Sequence, residues 1–452
     1  MSLQDLKNWF ATHREEIRRD YFTFLRFPSI SADPERKSDC IACAEWLVSF
    51  LKKADISAEL VPTSGLPLVF GKMEGKRKET LLLYGHYDVQ PAVPLEEWRS
   101  PPFEPTERDG MVYARGAVDD KGQIFYALLA LRAYKELGME LPCQIKLCIE
   151  GEEESSSSGL IDSLGKLGSQ LQAESLLVID FDQWERDIPA LTLGARGIAA
   201  LELKLRGSRL DLHSGIYGGI AYNPNRALVQ LLAGLWDAEG RVQVPHFYDG
   251  IAPLSAEEQK MCQYPHERAW FSEQFGIRAF GGEKGASLQE ASWFYPTLEI
   301  NGIGGGYVGP GVKTVIPAIA EARITCRLVP HQDPDQVLNA LTAYLQSRVP
   351  DGMELELVRH KGMPAFRGSP NSLLAKAVAR SSEEVTGNSC RYILTGGSIP
   401  VVPALVSALQ IKEVAGMGYG SLEDQIHAPN ERFDFYRFEQ GFLTVGRMLE
   451  LL

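Results

Sequence analysis

Leu81-Leu-Leu-Tyr-Gly-His86-Tyr-Asp88 begins as an apolar run of strand length and ends in an imidazole and a carboxylate. Farther on, Ile145-Lys-Leu-Cys-Ile149 leads through Glu150 and Gly151 into Glu152-Glu153-Glu154, and Leu176-Leu-Val-Ile179 leads into Asp180. Between the first two runs, Gln123 to Leu137 has the length and periodicity of a crossover helix. Strand, helix and strand in this order predict an α/β fold built on a parallel-rich sheet flanked by helices. Ligand sites in such sheets form beyond the carboxyl ends of the strands, so His86, Glu154 and Asp180 can converge although they are far apart in sequence.

Working outward, Leu3 to Leu25 and Cys40 to Leu51 read as amphipathic helices. The texture changes in the middle of the chain. A strand region over Leu191 to Leu205, a helix from Asn223, strands at Glu299 to Asn301 and Glu321 to Val329, and a helix from Asp333 suggest an inserted α+β unit of ferredoxin-like type. Asn223-Pro224 and Asp333-Pro334 each place a capping side chain before a proline at the first helical position. Gly281 to Gly285 and Gly302 to Gly311 read as surface or site-edging loops. The α/β texture returns after about Pro364 and ends in an amphipathic helix over Phe433 to Leu452. These shifts predict one α/β unit in two halves, residues 1–190 and 364–452, with a unit of different texture at 191–363 between them.

The chain has 452 residues with 46 Lys and Arg against 59 Asp and Glu, a net charge of −13. An acidic chain without a basic run has no electrostatic footprint for nucleic acid or an anionic membrane. Met1 to Phe22 mixes charges into its apolar residues, unlike a signal peptide, and no stretch approaches the roughly 18 apolar residues of a membrane span. Seven scattered cysteines point to reduced thiols, hence to the cytoplasm, rather than to a disulfide framework. Cys40-Ile-Ala-Cys43 has redox or zinc spacing but lies in a helical pattern without a second pair, and is assigned to packing.

A fourth acidic candidate, Asp119, sits in Arg115-Gly-Ala-Val-Asp119-Asp120-Lys-Gly, a turn-like sequence just before the crossover helix. A mixed imidazole and carboxylate set suits zinc, manganese or cobalt better than calcium. Two metals about 3.5 to 4 Å apart need a bridging carboxylate and a base to activate a water, and the run Glu152 to Glu154 offers both a ligand and an adjacent base. A single acidic residue at a strand end or helix start is ordinary; the constellation is not. His86 and Asp88 form a His-x-Asp pair in which the carboxylate can fix the ring tautomer. His213 in Asp-Leu-His213-Ser-Gly and His427 in Gln-Ile-His427-Ala-Pro-Asn-Glu431 are the other histidines in turn-like settings.

These segments, together with Cys-Arg327-Leu-Val-Pro and Gly-Gly397-Ser398-Ile-Pro, resemble the dinuclear-metal family of carnosine dipeptidases, aminoacylase, glutamate carboxypeptidase and succinyl-diaminopimelate desuccinylase. The match runs in order from about Leu81 to Glu431 and looks most like the cytosolic non-specific dipeptidase branch. The resemblance implies that Asp119 bridges two metals, with His86 and Asp180 completing one site and Glu154 and His427 the other. It implies Glu153 as general base, a cis peptide after Asp119, and a lid and dimerisation domain at 191–363 inserted between the catalytic halves 1–190 and 364–452. It further implies that His213 reaches the active site of the partner subunit in a homodimer, and that Arg327, Gly397 and Ser398 hold the substrate's free carboxylate. Glu152 and Asp182 are the neighbours most easily confused with Glu153, Glu154 and Asp180.

The reading that follows is a metallopeptidase that uses two divalent ions, zinc foremost, to cleave a dipeptide with a free C-terminal carboxylate. An N-acyl amino acid deacylase of acetylornithine or succinyl-diaminopimelate type is the alternative. A silent ligand-binding relative is the third, and a retained Glu153 speaks against it, since a pure binder has no use for a base.

Overall fold

The computed structural model describes residues 2–251, 258, 261, 262, 264, 266–396, 399 and 401–452. Its larger sheet has nine strands. From one edge they run Ser57–Val61, Leu68–Met73, Gln144–Glu150, Thr80–His86, Ser175–Ile179, Glu413–Met417, Ala190–Ala195 and Phe366–Arg367, and Arg391–Thr395 also pairs with Ala190–Ala195. The central pairings are parallel, including Thr80–His86 with both of its neighbours and Glu413–Met417 with Ser175–Ile179. Helix Lys121–Glu136 makes the crossover between Thr80–His86 and Gln144–Glu150. All seven residues of Thr80–His86 are buried, which is why its sequence is a continuous apolar run and not an alternating one. One core, from Leu6 through the crossover helix to Leu449, fills one face of the sheet, and a second, including Leu82, Leu164, Val178 and Leu405, fills the other.

The inserted unit has its own core around Leu203, Leu228, Ile324 and Leu341. Its four strands lie in the order Thr297–Gly305, Ile319–Leu328, Gly197–Arg206 and Glu354–Arg359, all antiparallel, with helices Pro224–Ala233 and Pro334–Gln346. Taken in chain order this is strand, helix, two strands, helix, strand, the ferredoxin-like arrangement. Both helices are capped by the expected side chains: Asn223 Oδ1 accepts from Asn225 N–H at 2.9 Å and Asp333 Oδ1 from Asp335 N–H at 2.8 Å.

Two sequence expectations change. The strand region Leu191 to Leu205 is two strands in different sheets, with Arg196 between them. Ala190–Ala195 is buried throughout, as an interior strand must be, whereas Gly197–Arg206 alternates buried and half-buried residues as a one-faced strand does. The glycines expected to open a loop at Gly302 instead continue strand Thr297–Gly305 past a bulge between Ile300 and Gly302. Gly305 has φ 151°, and a Cβ there would come within 2.1 Å of Asn225 Oδ1, so glycine is required where the strand passes that helix. Among the described residues, no helix is long and apolar enough to cross a membrane.

Candidate metal centre

Asp119 is shared by two groups of side chains. His86, Asp119 and Asp180 form one, and Asp119, Glu154 and His427 the other, with the candidate ligand atoms in each group all within 4.8 Å of one another. His86 Nε2 lies 3.2 Å from Asp119 Oδ1 and 3.7 Å from Asp180 Oδ2. His427 Nε2 lies 2.8 Å from Asp119 Oδ2 and 3.3 Å from Glu154 Oε2. Asp119 therefore turns one oxygen toward each imidazole.

The strands deliver these groups. His86 is the last residue of its strand, Asp180 directly follows Ser175–Ile179, and Glu153 and Glu154 open the short turn after Gln144–Glu150. Asp119 sits just ahead of the crossover helix, and the Asp119–Asp120 peptide is cis. His427 comes from a loop near the C-terminus at φ 60°. Asp88, fully buried, joins these pieces. Its carboxylate accepts from the N–H of Glu153 at 3.3 Å, the N–H of Glu154 at 3.1 Å and the Ser31 hydroxyl at 2.6 Å. It also lies 3.3 Å from His86 Nδ1, which is 3.1 Å from the Asp88 carbonyl, so Asp88 holds both the imidazole and the acidic turn. Gln90 Nε2 donates to Glu154 Oε2 at 2.7 Å, and Asp120 Oδ2 accepts from His86 N–H at 3.1 Å.

The charges are crowded. Burial raises Glu153 to about 7, and the carboxylates of Glu154, Asp119 and Asp88 push it the same way while His86 opposes them. Burial, reinforced by Asp120, raises Asp180 well above the ordinary carboxylate range. The carboxylates of Asp119 and Glu154 raise His427 to about 10. For Asp119, burial acts upward, but His427 and His86 outweigh it and hold the group below its usual value.

A pair of divalent cations fits this arrangement. His86 Nε2 is buried beside Asp119 and Asp180 with no hydrogen-bond partner. Each group offers one imidazole and two carboxylates, a donor set suited to zinc, manganese or cobalt.

The remaining sequence candidates lie elsewhere. The Glu152 carboxylate is packed against Gly65 and Gly159, where a Cβ would be 2.1 and 1.9 Å from it, and so faces away from both groups. Asp182 is half-buried, with desolvation raising it to about 6, and belongs to neither group. His213 is exposed in the inserted unit, its Nδ1 accepting from Gly215 N–H at 3.0 Å, and it is not part of either group in its own chain. Arg327 lies on strand Ile319–Leu328 opposite Thr297 and Ile198. Gly397 and Ser398 fall outside the described residues. Cys40 and Cys43 are fully buried, and burial raises Cys40 to about 12, as befits packing residues.

Sequence reasoning passed over three residues here. Ser31 and Gln90 carry no motif. Arg196 does leave a signal, a lone charge between two apolar strand sequences. Its Nε and Nη1 are buried without a hydrogen-bond partner. Burial first, and then the charge of Arg327, lower it to about 10. A guanidinium with buried, unsatisfied N–H groups near a second arginine is a donor set suited to an anionic ligand.

The sequence matches the model of peptidase family M20/M25/M40 over residues 82–451. It is 29% identical to the Cys-Gly metallodipeptidase dug1 of Schizosaccharomyces pombe, over 98% of this chain and 96% of that protein. Against the Beta-Ala-His dipeptidase of Rattus norvegicus identity is 28%, covering 97% of this chain and 90% of the relative. Among solved structures, the M20 family metallo-carboxypeptidase Sso-CP2 from Sulfolobus solfataricus superposes with a TM-score of 0.85 at 32% identity, covering 96% of this chain and 99% of the other. Human carnosine dipeptidase 1 superposes with a TM-score of 0.77 at 26% identity, covering 99% and 98%.

Proposed function

Given that the chain belongs to peptidase family M20/M25/M40, we propose that this metallopeptidase hydrolyses the amide bond of dipeptides with a free C-terminal carboxylate, as a cytoplasmic homodimer. The observation that carries the reading is the sharing of Asp119 by two ligand groups, with the half-buried Glu153 beside them. His86, Asp119 and Asp180 would hold one divalent ion and Asp119, Glu154 and His427 the other. Bound there, such ions supply Lewis acidity toward a carbonyl and lower the pKa of water.

The rest of the chemistry belongs to the chain. Glu153 takes a proton from the attacking water and returns it to the leaving amine, a role that suits a carboxylate lifted toward neutrality by burial. Asp88 keeps the His86 ring and the Glu153 turn in register. Arg327 offers a planar fork of donors to the substrate carboxylate, Gly397 and Ser398 share that role, and the unsatisfied N–H groups of Arg196 support binding of an anion. His213 acts from the partner subunit. Seven cysteines, all buried and unbonded to one another, agree with a reducing compartment.

The likeness to a metallo-carboxypeptidase favours a second reading, in which longer peptides are trimmed from the same carboxyl end. Metal analysis followed by hydrolysis of dipeptides, their C-terminal amides, blocked longer peptides and N-acyl amino acids tests both. Dipeptides should be cleaved only with metal present. Their amides should be slower by a factor corresponding to about 2 to 5 kcal/mol, because removing the charge takes an acceptor from the buried Nε and Nη1 of Arg196. Equal rates for acid and amide would take Arg327 and Arg196 out of the site, and full activity after exhaustive chelation would end the metal assignment.

A further inference from the structure

Glu431 ends the turn His427-Ala-Pro-Asn-Glu431 and belongs to neither ligand group, but its contacts lead back to them. Its side chain is fully buried. One oxygen accepts from Arg115 Nη1 at 2.8 Å and from the N–H of Gly116 at 2.8 Å. The other accepts from the N–H of Val118 at 2.9 Å and from that of Asp119 at 3.1 Å. Its backbone carbonyl accepts from Ala114 N–H at 3.2 Å. A carboxylate has about four acceptor sites, so this one is saturated, and every donor lies between residues 115 and 119.

We infer that Glu431 is the positioning residue for the shared ligand Asp119, and that it sets the spacing between Asp119 and His427. The inference rests on the ligand assignment proposed above. Two loops far apart in sequence are locked together by one side chain: the loop carrying Asp119 supplies the donors, and the turn carrying His427 supplies the acceptor. The turn is itself held in place. His427 and Asn430 adopt left-handed backbone angles, φ 60° and 65°, and Asn430 accepts from Arg99 N–H at 2.8 Å and donates to the Glu97 carbonyl at 2.8 Å. Since Asp119 belongs to both groups, a shift in its loop disturbs both sites together. Glutamine cannot take over the role, because its NH₂ would confront at least one pair of N–H donors.

The test uses full-length protein, stripped of metal, and compares wild type with Glu431→Gln and Glu431→Asp. Far-ultraviolet circular dichroism and thermal unfolding of the metal-free proteins report the fold. Titration with Co²⁺ reports affinity by calorimetry and ligand geometry by visible absorption. Folded Glu431→Gln should bind Co²⁺ about 10- to 100-fold more weakly at both sites. It should also show an altered spectrum and, with saturating metal, a lowered kcat at nearly unchanged KM. Glu431→Asp keeps the charge and the ion pair with Arg115 but is too short to serve both pairs of donors. It should weaken both sites several-fold, and it decides the matter if Glu431→Gln does not fold. Wild-type Co²⁺ affinity and spectrum in a folded variant, even one with a lower unfolding temperature, would overturn the inference. Failure of wild type itself to take up two equivalents would instead overturn the ligand assignment.

Discussion

Glu152, Glu153 and Glu154 carry the same side chain into three surroundings. Glu152 turns toward Gly65 and Gly159, Glu154 lies 3.3 Å from His427, and Glu153 is half-buried among charges with its backbone N–H on Asp88. Substitution separates them. Glu153→Gln preserves shape and removes the basic carboxylate, so turnover should fall about a hundredfold or more while bound metal is retained. Glu152→Gln should change rate and metal content little. Measuring both quantities in both variants is decisive: loss of metal from Glu153→Gln would make it a ligand, and a rate collapse in Glu152→Gln would move the base by one residue. Periodicity has little to say about such a run, because adjacent glutamates differ only in where the backbone turn aims them.

At the scale of elements, the C-terminal helix Phe435–Leu451 anchors the loop that carries His427. Arg437, in its first turn, is buried and pairs with Asp424 Oδ2 at 2.5 Å and with Asp434 Oδ2 at 2.7 Å. Arg437→Met should destabilise the protein by about 3 to 5 kcal/mol, since two buried carboxylates lose their cation. Urea unfolding of the metal-free protein measures this, and a loss below about 1 kcal/mol would show that Asp424 and Asp434 neutralise themselves at little cost. Elements of this kind differed in how openly the sequence announced them. Strand Thr80–His86 and the Asn223 and Asp333 caps were legible because continuous burial and capping each leave a local pattern. The break at Arg196 between two sheets was not, since both sides of it are apolar and strand-like. The partners of Glu431 were also hidden, because a hydrogen bond between residues 431 and 116 has no spacing to read.

For the molecule as a whole, the proposed homodimer gives His213 a role that crosses between subunits. His213 is exposed and stands outside both ligand groups of its own chain. If it serves the partner subunit, homodimers of His213→Ala and of Glu153→Gln should each be nearly inactive. Dissociating and reassociating a mixture of the two should restore activity, because one site in each hybrid then has both native residues. No recovery, or a fully active monomer by light scattering, would rule out a shared site.

The placing of His427 also bears on how the protein is made. A growing chain has His86, Asp119 and Asp180 outside the ribosome long before His427 is synthesised, and at about 5 to 20 residues per second the wait after Asp180 is roughly 10 to 50 s. During that interval strand Ser175–Ile179 lacks its neighbour Glu413–Met417 and presents an open edge. The first ligand group can therefore be translated in full while the second cannot yet exist. Biosynthesis gives the two metal positions an order of completion, and the whole inserted unit is translated in between.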